Sequence, residues 1–292
     1  MKCIYHKSDL DGLCSAAVVV SIFPDVQLIG GGYKEDPDLS SIEPGEKVFM
    51  VDYSLQPFEK MIALNKQCDL VWIDHHKTAM DAQEESGVAI KGLRRKGIGA
   101  CALVWEYLMG PRSIPETVRL LAEYDVFNHT DELTLPFQYG MRASKASKDP
   151  KNLMWKALLK PKASTGIAES RVFNTILDSG HAIYEYVVQS NEGSAKAMAF
   201  ETELDGLKII AMNRADSGSL QFSSVWNAKK YDAMAIFTFQ KNAWSVSLFT
   251  PPDSSVDVSA VAKARGGGGH QGAAGFVCKA IPFVLPGVTE EN

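Results

Sequence analysis

Through the first half of the chain, short apolar runs ending on polar or acidic residues alternate with longer segments of helical character. Residues 2–5, 26–29, 47–52 and 69–74 read as short strands, whereas residues 12–23 have the alanine, valine and leucine content of a buried helix. Residues 56–65 fit a crossover helix between two of these strands. This alternation predicts a mostly parallel sheet with helices on both faces. From Gly99 to Ser147 the pattern turns helical, over 100–109, 115–124 and 135–143, with Pro115 suited to a first helical turn.

Residues 149–165, with two prolines and four lysines, read as an irregular exposed passage. Residues 167–200 then carry apolar positions at helical spacing without an internal proline, and read as one or two long helices. The remainder changes character. Residues 207–212, 233–239 and 243–249 read as strands, with Gln240, Lys241 and Asn242 as a hairpin turn. Residues 256–264 form a short helix, and the glycine run 266–269 precedes a final strand at 274–283. This is a smaller α/β domain. The boundaries that follow are a first domain over 1–165, a helical linker over 166–200 and a second domain over 201–292.

A length of 292 residues agrees with two domains. Hydrophobic residues at 46% and charged residues at 22% are ordinary for a globular protein and exclude disordered and fibrous classes. The net charge of −5 argues against a surface that coats nucleic acid, while leaving room for a small basic cleft. No apolar run approaches the ~18 residues needed to cross a bilayer, and the first residues lack the pattern of a signal peptide. The expectation is a cytoplasmic protein without membrane contact. Five dispersed cysteines (Cys3, Cys14, Cys68, Cys101 and Cys278) with no CxxC pair read as reduced core thiols, not as disulfides or a zinc-thiolate site.

Candidate chemistry enters at the strand ends. His6, Asp9 and Asp11 follow the first strand, Asp52 ends another, and Asp74, His75 and His76 end a third. Ligands bind parallel sheets outside the carboxyl ends of the strands, so one edge receives several carboxylates and imidazoles together. Carboxylates crowded this closely cannot all stay ionised without a cation. Carboxylate and imidazole ligands without thiolate suit Mn²⁺, Mg²⁺ or Fe²⁺ better than structural zinc, and the number of carboxylates points to two ions. Two ions ~3.5–4 Å apart activate water and clamp both ends of an in-line displacement at phosphorus. A single strand-end Asp is usually a turn or cap residue, and a single His is usually structural. The concentration of four of six histidines (His6, His75, His76 and His270) at such positions favours ligation. The glycine run lets the backbone approach a ligand and aims successive amides at an anion.

The segments His-Lys-Ser-Asp-Leu-Asp-Gly (6–12), Val-Asp-Tyr (51–53), Ile-Asp-His-His (73–76) and Gly-Gly-Gly-Gly-His-Gln-Gly-Ala-Ala-Gly (266–275) resemble the DHH–DHHA1 phosphoesterase superfamily. The similarity spans nearly the whole chain and is nearest the nano-RNase B and cyclic-nucleotide phosphodiesterase branch. It implies an α/β fold: a parallel-sheet DHH domain with helices on both faces, a helical linker and a DHHA1-like substrate-binding domain. It also implies two divalent ions, Mn²⁺ first, with Mg²⁺ or Fe²⁺ as alternatives. His6 and Asp9 would hold one ion, Asp11 and His75 the other, and Asp52 would bridge them. Asp125, with Glu123 as a weaker substitute, matches a further acidic ligand of the second ion. Asp74 would orient a neighbouring ligand, and His76 would act beside the scissile phosphate. Arg265, Gly267, Gly268, Gly269 and His270 would contact substrate.

The implied activity is hydrolysis of short oligoribonucleotides or cyclic nucleotides by in-line attack of a bridging hydroxide. The alternatives are a phosphomonoesterase acting on 3′,5′-bisphosphonucleotides and a catalytically silent nucleotide-binding regulator. The expected partner is a nucleotide or short single-stranded RNA, and a homodimer is allowed. Many relatives carry an arginine on the strand before the glycine block, where this chain has Val246-Ser247-Leu248-Phe249-Thr250. Phe249 reads as core or as a base-stacking ring. Lys91, Arg94, Arg95 and Lys96 read as a solvated loop or as a basic lip over substrate.

Overall fold

The computed structural model describes residues 1–32, 36–110, 112–160, 167–215 and 218–287. The chain divides into two compact units, Met1–Tyr184 and Glu185–Asn292.

The first unit contains β1 (Lys2–His6), α1 (Leu10–Ile22), β2 (Gln27–Gly31), β3 (Lys47–Val51), α2 (Glu59–Gln67), β4 (Asp69–Ile73), α3 (Lys77–Ser86), α4 (Ala100–Met109), α5 (Glu116–Asp125), α6 (Thr134–Ala143) and α7 (Leu153–Leu158). The division falls inside α8 (Ile167–Met198), which is one continuous helix. The four strands form a parallel sheet in the order β2-β1-β3-β4. Side chains alternate between its faces, as the period of a strand requires. Cys3, Phe49, Val51, Val71 and Ile73 pack beneath α1, α4, α5 and α6, among Ala16, Leu103, Leu121 and Phe137. Ile4, Val48, Met50, Leu70 and Trp72 pack on the other face with Met61 and Leu64 of α2 and Ala79 of α3. Burial on both sides explains why these strands read as nearly unbroken apolar runs.

Two expectations are corrected here. Within the passage expected to be irregular, residues 153–158 form α7, anchored by buried Trp155; residues 161–166 lie outside the described residues. Pro115 is the residue before α5, extended at φ −61° and ψ 145°, and not its first helical residue. Helix α3 gave no apolar pattern from which it could be read, since only Ala79 of it is buried.

The second unit contains β5 (Phe200–Leu204), β6 (Leu207–Asn213), β7 (Ala233–Gln240), β8 (Ala243–Phe249), α9 (Val258–Lys263), β9 (Gly268–His270) and β10 (Ala273–Cys278). They form a sheet in the order β5-β6-β7-β8-β10-β9, in which only β6 and β7 pair in parallel. One face packs on Val258 and Ala262 of α9, and the other on Ala195 of α8 and on Phe222. Strand β5 was not legible, because its alternating Glu201, Thr202 and Glu203 follow a helical pattern without a break. The final strand stops at Cys278, short of the expected 283. Phe249 packs beside Met234 and Ile236, in agreement with its reading as core. Among the described residues no helix is long and apolar enough to cross a membrane. Cys3, Cys14, Cys68 and Cys101 are free and buried, and Cys278 is free and partly buried.

Candidate metal centre

The centre is assembled at the carboxyl edge of the parallel sheet. Strand β1 ends on His6, and Asp9 then caps α1 by accepting a hydrogen bond from the Gly12 amide at 2.9 Å. A Cβ at Gly12 would lie 2.0 Å from the His6 carbonyl oxygen. Only glycine lets the first turn of α1 sit against the end of β1, which keeps Asp9 and Asp11 beside His6. Asp11 is buried, and its two carboxylate oxygens accept from the amides of Ala100 at 2.6 Å and Cys101 at 2.8 Å. These are first-turn amides of α4, whose own preceding residue, Gly99, has no side chain to cap them. The positive end of α4 therefore faces the cluster.

Asp52 follows β3 with φ +52°, an uncommon conformation for a residue other than glycine. Its amide bonds to the Ile73 carbonyl at 3.0 Å, which holds it against the end of β4. Its Oδ1 is buried without a hydrogen-bond partner among the described residues. His75 Nε2 lies 3.4 Å from this oxygen, 3.2 Å from Asp125 Oδ2 and 3.9 Å from Asp11 Oδ2. His6 Nδ1 lies 2.5 Å from Asp9 Oδ2 and 3.8 Å from Asp52 Oδ2. Three groups of donors result, His6–Asp9–Asp52, Asp11–His75–Asp125 and Asp52–Asp74–His75–His76, each with its donor atoms within 4.8 Å of one another. Asp52 belongs to the first and third and touches the second through His75.

Helix α5 decides between its two acidic candidates. Glu123 is taken up in the fold, accepting from the Asp131 amide at 2.8 Å and pairing with Arg119 at 3.1 Å. Asp125, the last residue of the helix, is the one turned to His75.

The electrostatics match a cation site. Burial, reinforced by the charge of Asp11, pushes Asp52 well above the usual carboxylate range. Burial and Asp11 likewise raise Asp125 to about 7, and burial raises Asp11 itself. Burial opposes the charged form of His6, but hydrogen bonds to Asp52 and Asp9 outweigh it and raise its pKa to about 10. Without a cation, the site holds its charges down by retaining protons. The oxygen and nitrogen donors, the absence of thiolate and the unsatisfied Oδ1 of Asp52 all fit hard or borderline divalent ions.

Asp74 is fully buried and has a different place. It accepts from Trp72 Nε1 at 3.2 Å and from the His75 amide at 2.7 Å, and lies 2.7 Å from His76 Nδ1. Burial opposes its ionisation, yet His76 lowers its pKa, and Asp74 in turn raises that of His76 against the effect of burial. Trp72 is pinned from its other side by the Arg94 guanidinium, 4.9 Å from the ring centre. Arg94 also donates to the carbonyls of Trp72 and Ile90, both at 2.7 Å. The support given by Trp72 and Arg94 was not read from the sequence, although residues 72 and 74 necessarily share a strand face. Arg94 apart, the basic cluster is paired with acidic neighbours. Lys91 pairs with Asp69, Arg95 with Glu106 and Lys96 with Asp81.

A family profile described as "DHH family, N-terminal domain" matches residues 2–135, the stretch that carries every residue of this centre. Residues 2–135 are a DHH-family N-terminal domain. A curated relative, the uncharacterized protein R106 of Acanthamoeba polyphaga mimivirus, is 21% identical over 97% of the chain and 68% of its own length. Among solved structures, the pGpG-specific phosphodiesterase PggH of Vibrio cholerae superposes with a TM-score of 0.54 at 12% identity, covering 95% of this chain and 93% of its own. The DHH domain of a member of a family of ribosomal proteins superposes with a TM-score of 0.50, also at 12% identity, over 95% and 82% of the two chains. At these identities the structural matches establish the fold alone.

In the second unit the glycine block has mixed roles. Gly268–His270 is β9 and pairs with Ala273–Gly275 of β10. A Cβ at Gly267 would lie 2.1 Å from the Gly275 carbonyl oxygen, and one at Gly269, where φ is +143°, would lie 2.5 Å from that of Ala273. Both glycines are therefore demanded by the hairpin itself. Gly268 and His270 are exposed, and a Cβ at Gly268 would meet nothing within 4 Å. Arg265, expected to contact substrate, has an acidic partner of its own. Its guanidinium forms two 2.7 Å hydrogen bonds to Asp205 and lies over Phe276, so its fork is already filled.

Proposed function

We propose that this protein is a divalent-metal-dependent phosphodiesterase acting on short oligoribonucleotides or cyclic nucleotides. The observation that carries the reading is the pair of oxygen and nitrogen donor sets joined at Asp52 on the carboxyl edge of the sheet. His6, Asp9 and Asp52 would hold one ion, and Asp11, His75 and Asp125 with Asp52 would hold the other, with Mn²⁺ expected before Mg²⁺ or Fe²⁺. Bound ions supply activation of water and neutralisation of charge on the phosphoryl oxygens. The strained backbone at Asp52 and the α4 cap on Asp11 fix these carboxylates before any ligand arrives, which lowers the cost of ordering them. Asp74 holds His76 by Nδ1, an orientation in which Nε2 donates to a phosphoryl oxygen or carries a proton to the leaving oxygen. Exposed Gly268 and His270 are the substrate-binding residues of the second unit. The nucleotide substrate class is supported by the pGpG-specific phosphodiesterase that shares the fold. The complete donor set speaks against a silent regulator.

The test is hydrolysis of 2–5-mer RNA, linear and cyclic dinucleotides and 3′,5′-bisphosphonucleotide with Mn²⁺, Mg²⁺ or EDTA, by wild type and Asp52→Asn. Metal-dependent cleavage lost in the variant is expected. Release of phosphate from the bisphosphonucleotide alone would make it a phosphomonoesterase, and failure to bind metal would remove the basis of the reading.

A further inference from the structure

Helix α5 ends in a backbone motif that asks for glycine and receives phenylalanine. The Phe127 amide donates to the Tyr124 carbonyl and the Asn128 amide to the Glu123 carbonyl, both at 3.0 Å. This is the paired hydrogen-bond pattern of a Schellman ending, in which the residue after the cap turns left-handed. Phe127 occupies that position with φ +57°. Glycine enters this region freely, and a side chain with a Cβ, above all a bulky one, is disfavoured there. Burial offers little compensation, because Phe127 is 41% exposed. Neither the backbone nor the core accounts for the residue, and strain kept at such a place points to function.

The surroundings point to a ligand. Phe127 lies two residues beyond Asp125. Its ring leans on His129 with centroids 4.5 Å apart, and His129 stacks on Tyr124 at 5.2 Å and 21°. Arg142 closes the row, 5.1 Å from the Tyr124 ring centre and donating to its hydroxyl at 3.0 Å. Arg142 is exposed and has no carboxylate partner among the described residues. An aromatic row ending on a cation offers a planar face to a base and a charge to a phosphate.

We infer that Phe127, held exposed in a left-handed conformation two residues beyond Asp125 and backed by His129, is the nucleobase-stacking residue that makes this centre select nucleotides over base-free phosphoesters. The inference rests on the phosphodiesterase reading and adds the group that recognises the base. Stacking of one base on an aromatic side chain corresponds to roughly a 5- to 100-fold effect.

The experiment compares a 5′-phosphorylated adenylyl dinucleotide with its fully abasic counterpart, using Mn²⁺-loaded wild type, Phe127→Gly and Phe127→Trp. In wild type kcat/KM favours the base-bearing substrate. In Phe127→Gly that preference falls roughly 5- to 100-fold, while the melting temperature holds or rises because glycine relieves the turn. Phe127→Trp restores the preference. A preference unchanged in Phe127→Gly overturns the inference, and a lowered melting temperature with equal losses on both substrates makes Phe127 a packing residue only. If wild type cleaves neither compound, the phosphodiesterase reading is what fails. Equilibrium binding of the same pair by calorimetry then decides the base-stacking role separately.

Discussion

The carboxylate of Asp11 accepts a hydrogen bond from the backbone amide of Cys101 at 2.8 Å, across 90 residues of sequence. With the Ala100 amide it closes the amino end of α4, so one side chain is at once a metal-ligand candidate and a helix cap. Asparagine keeps an acceptor for the cap but loses the charge, and alanine loses both. Asp11→Asn is expected to be more stable than Asp11→Ala by about 1 kcal/mol in EDTA, with metal binding weakened in both. Chemical denaturation measures the difference, and equal stability of the two variants would show that the cap contributes nothing.

The metal-free protein is expected to lose stability as pH rises from about 4 to 9. The carboxyl groups of Asp11, Asp52 and Asp125 have pKa values raised in the fold, that of Asp125 to about 7, so ionisation favours the unfolded chain once pH passes the ordinary value of 3.8. His6, raised to about 10, contributes stability that is full below 6.5 and fades as pH climbs towards 10. Both effects act in the same direction. Asp9 and Asp74, whose pKa values are lowered, act only in the acid range below 3.8. Melting temperatures in EDTA should fall from pH 5 to pH 8 and flatten with saturating Mn²⁺, because cations replace the lost protons. A melting temperature that rises with pH in EDTA contradicts this picture.

Asp74→Asn is expected to lower kcat by roughly 10- to 100-fold while metal stoichiometry stays at the wild-type value. The carboxylate that raises the pKa of His76 would be gone, so the His76 resonance should titrate at lower pH in the variant. An unchanged His76 titration would mean that Asp74 serves only to anchor Trp72.

Arg265→Ala is expected to weaken the second unit by no more than about 1 kcal/mol, since its pair with Asp205 is partly exposed. KM should change little because the guanidinium already serves the Asp205 turn. A KM increase beyond about tenfold, the equivalent of 1.4 kcal/mol, would return Arg265 to the substrate site.

The strands of the first unit were legible because both faces of the sheet are buried, which leaves them as apolar runs ended by the very residues that carry chemistry. His6, Asp52 and His75 could be placed on one edge from that pattern alone. Strand β5 escaped because its short alternation follows α8 without a break, and helix α3 because only Ala79 of it is buried, which leaves no periodic mark. Trp72 and Arg94 escaped because their work is support, and an aromatic ring beneath a carboxylate has the same local pattern as any core residue.

The sequence by itself determined the alternation of strands and helices, the kinds of donor at the strand ends, and the glycines without which Gly12 could not meet His6 or Gly267 meet Gly275. These follow from side-chain chemistry and backbone period, which are local properties. Only the tertiary structure decided that Asp125 and not Glu123 faces His75, that Asp205 fills the fork of Arg265, and that Phe127 stands exposed in a glycine position. Each of those outcomes depends on which hydrogen-bonding groups meet across a turn or across distant sequence. That competition for partners is settled by packing, and no single segment records it.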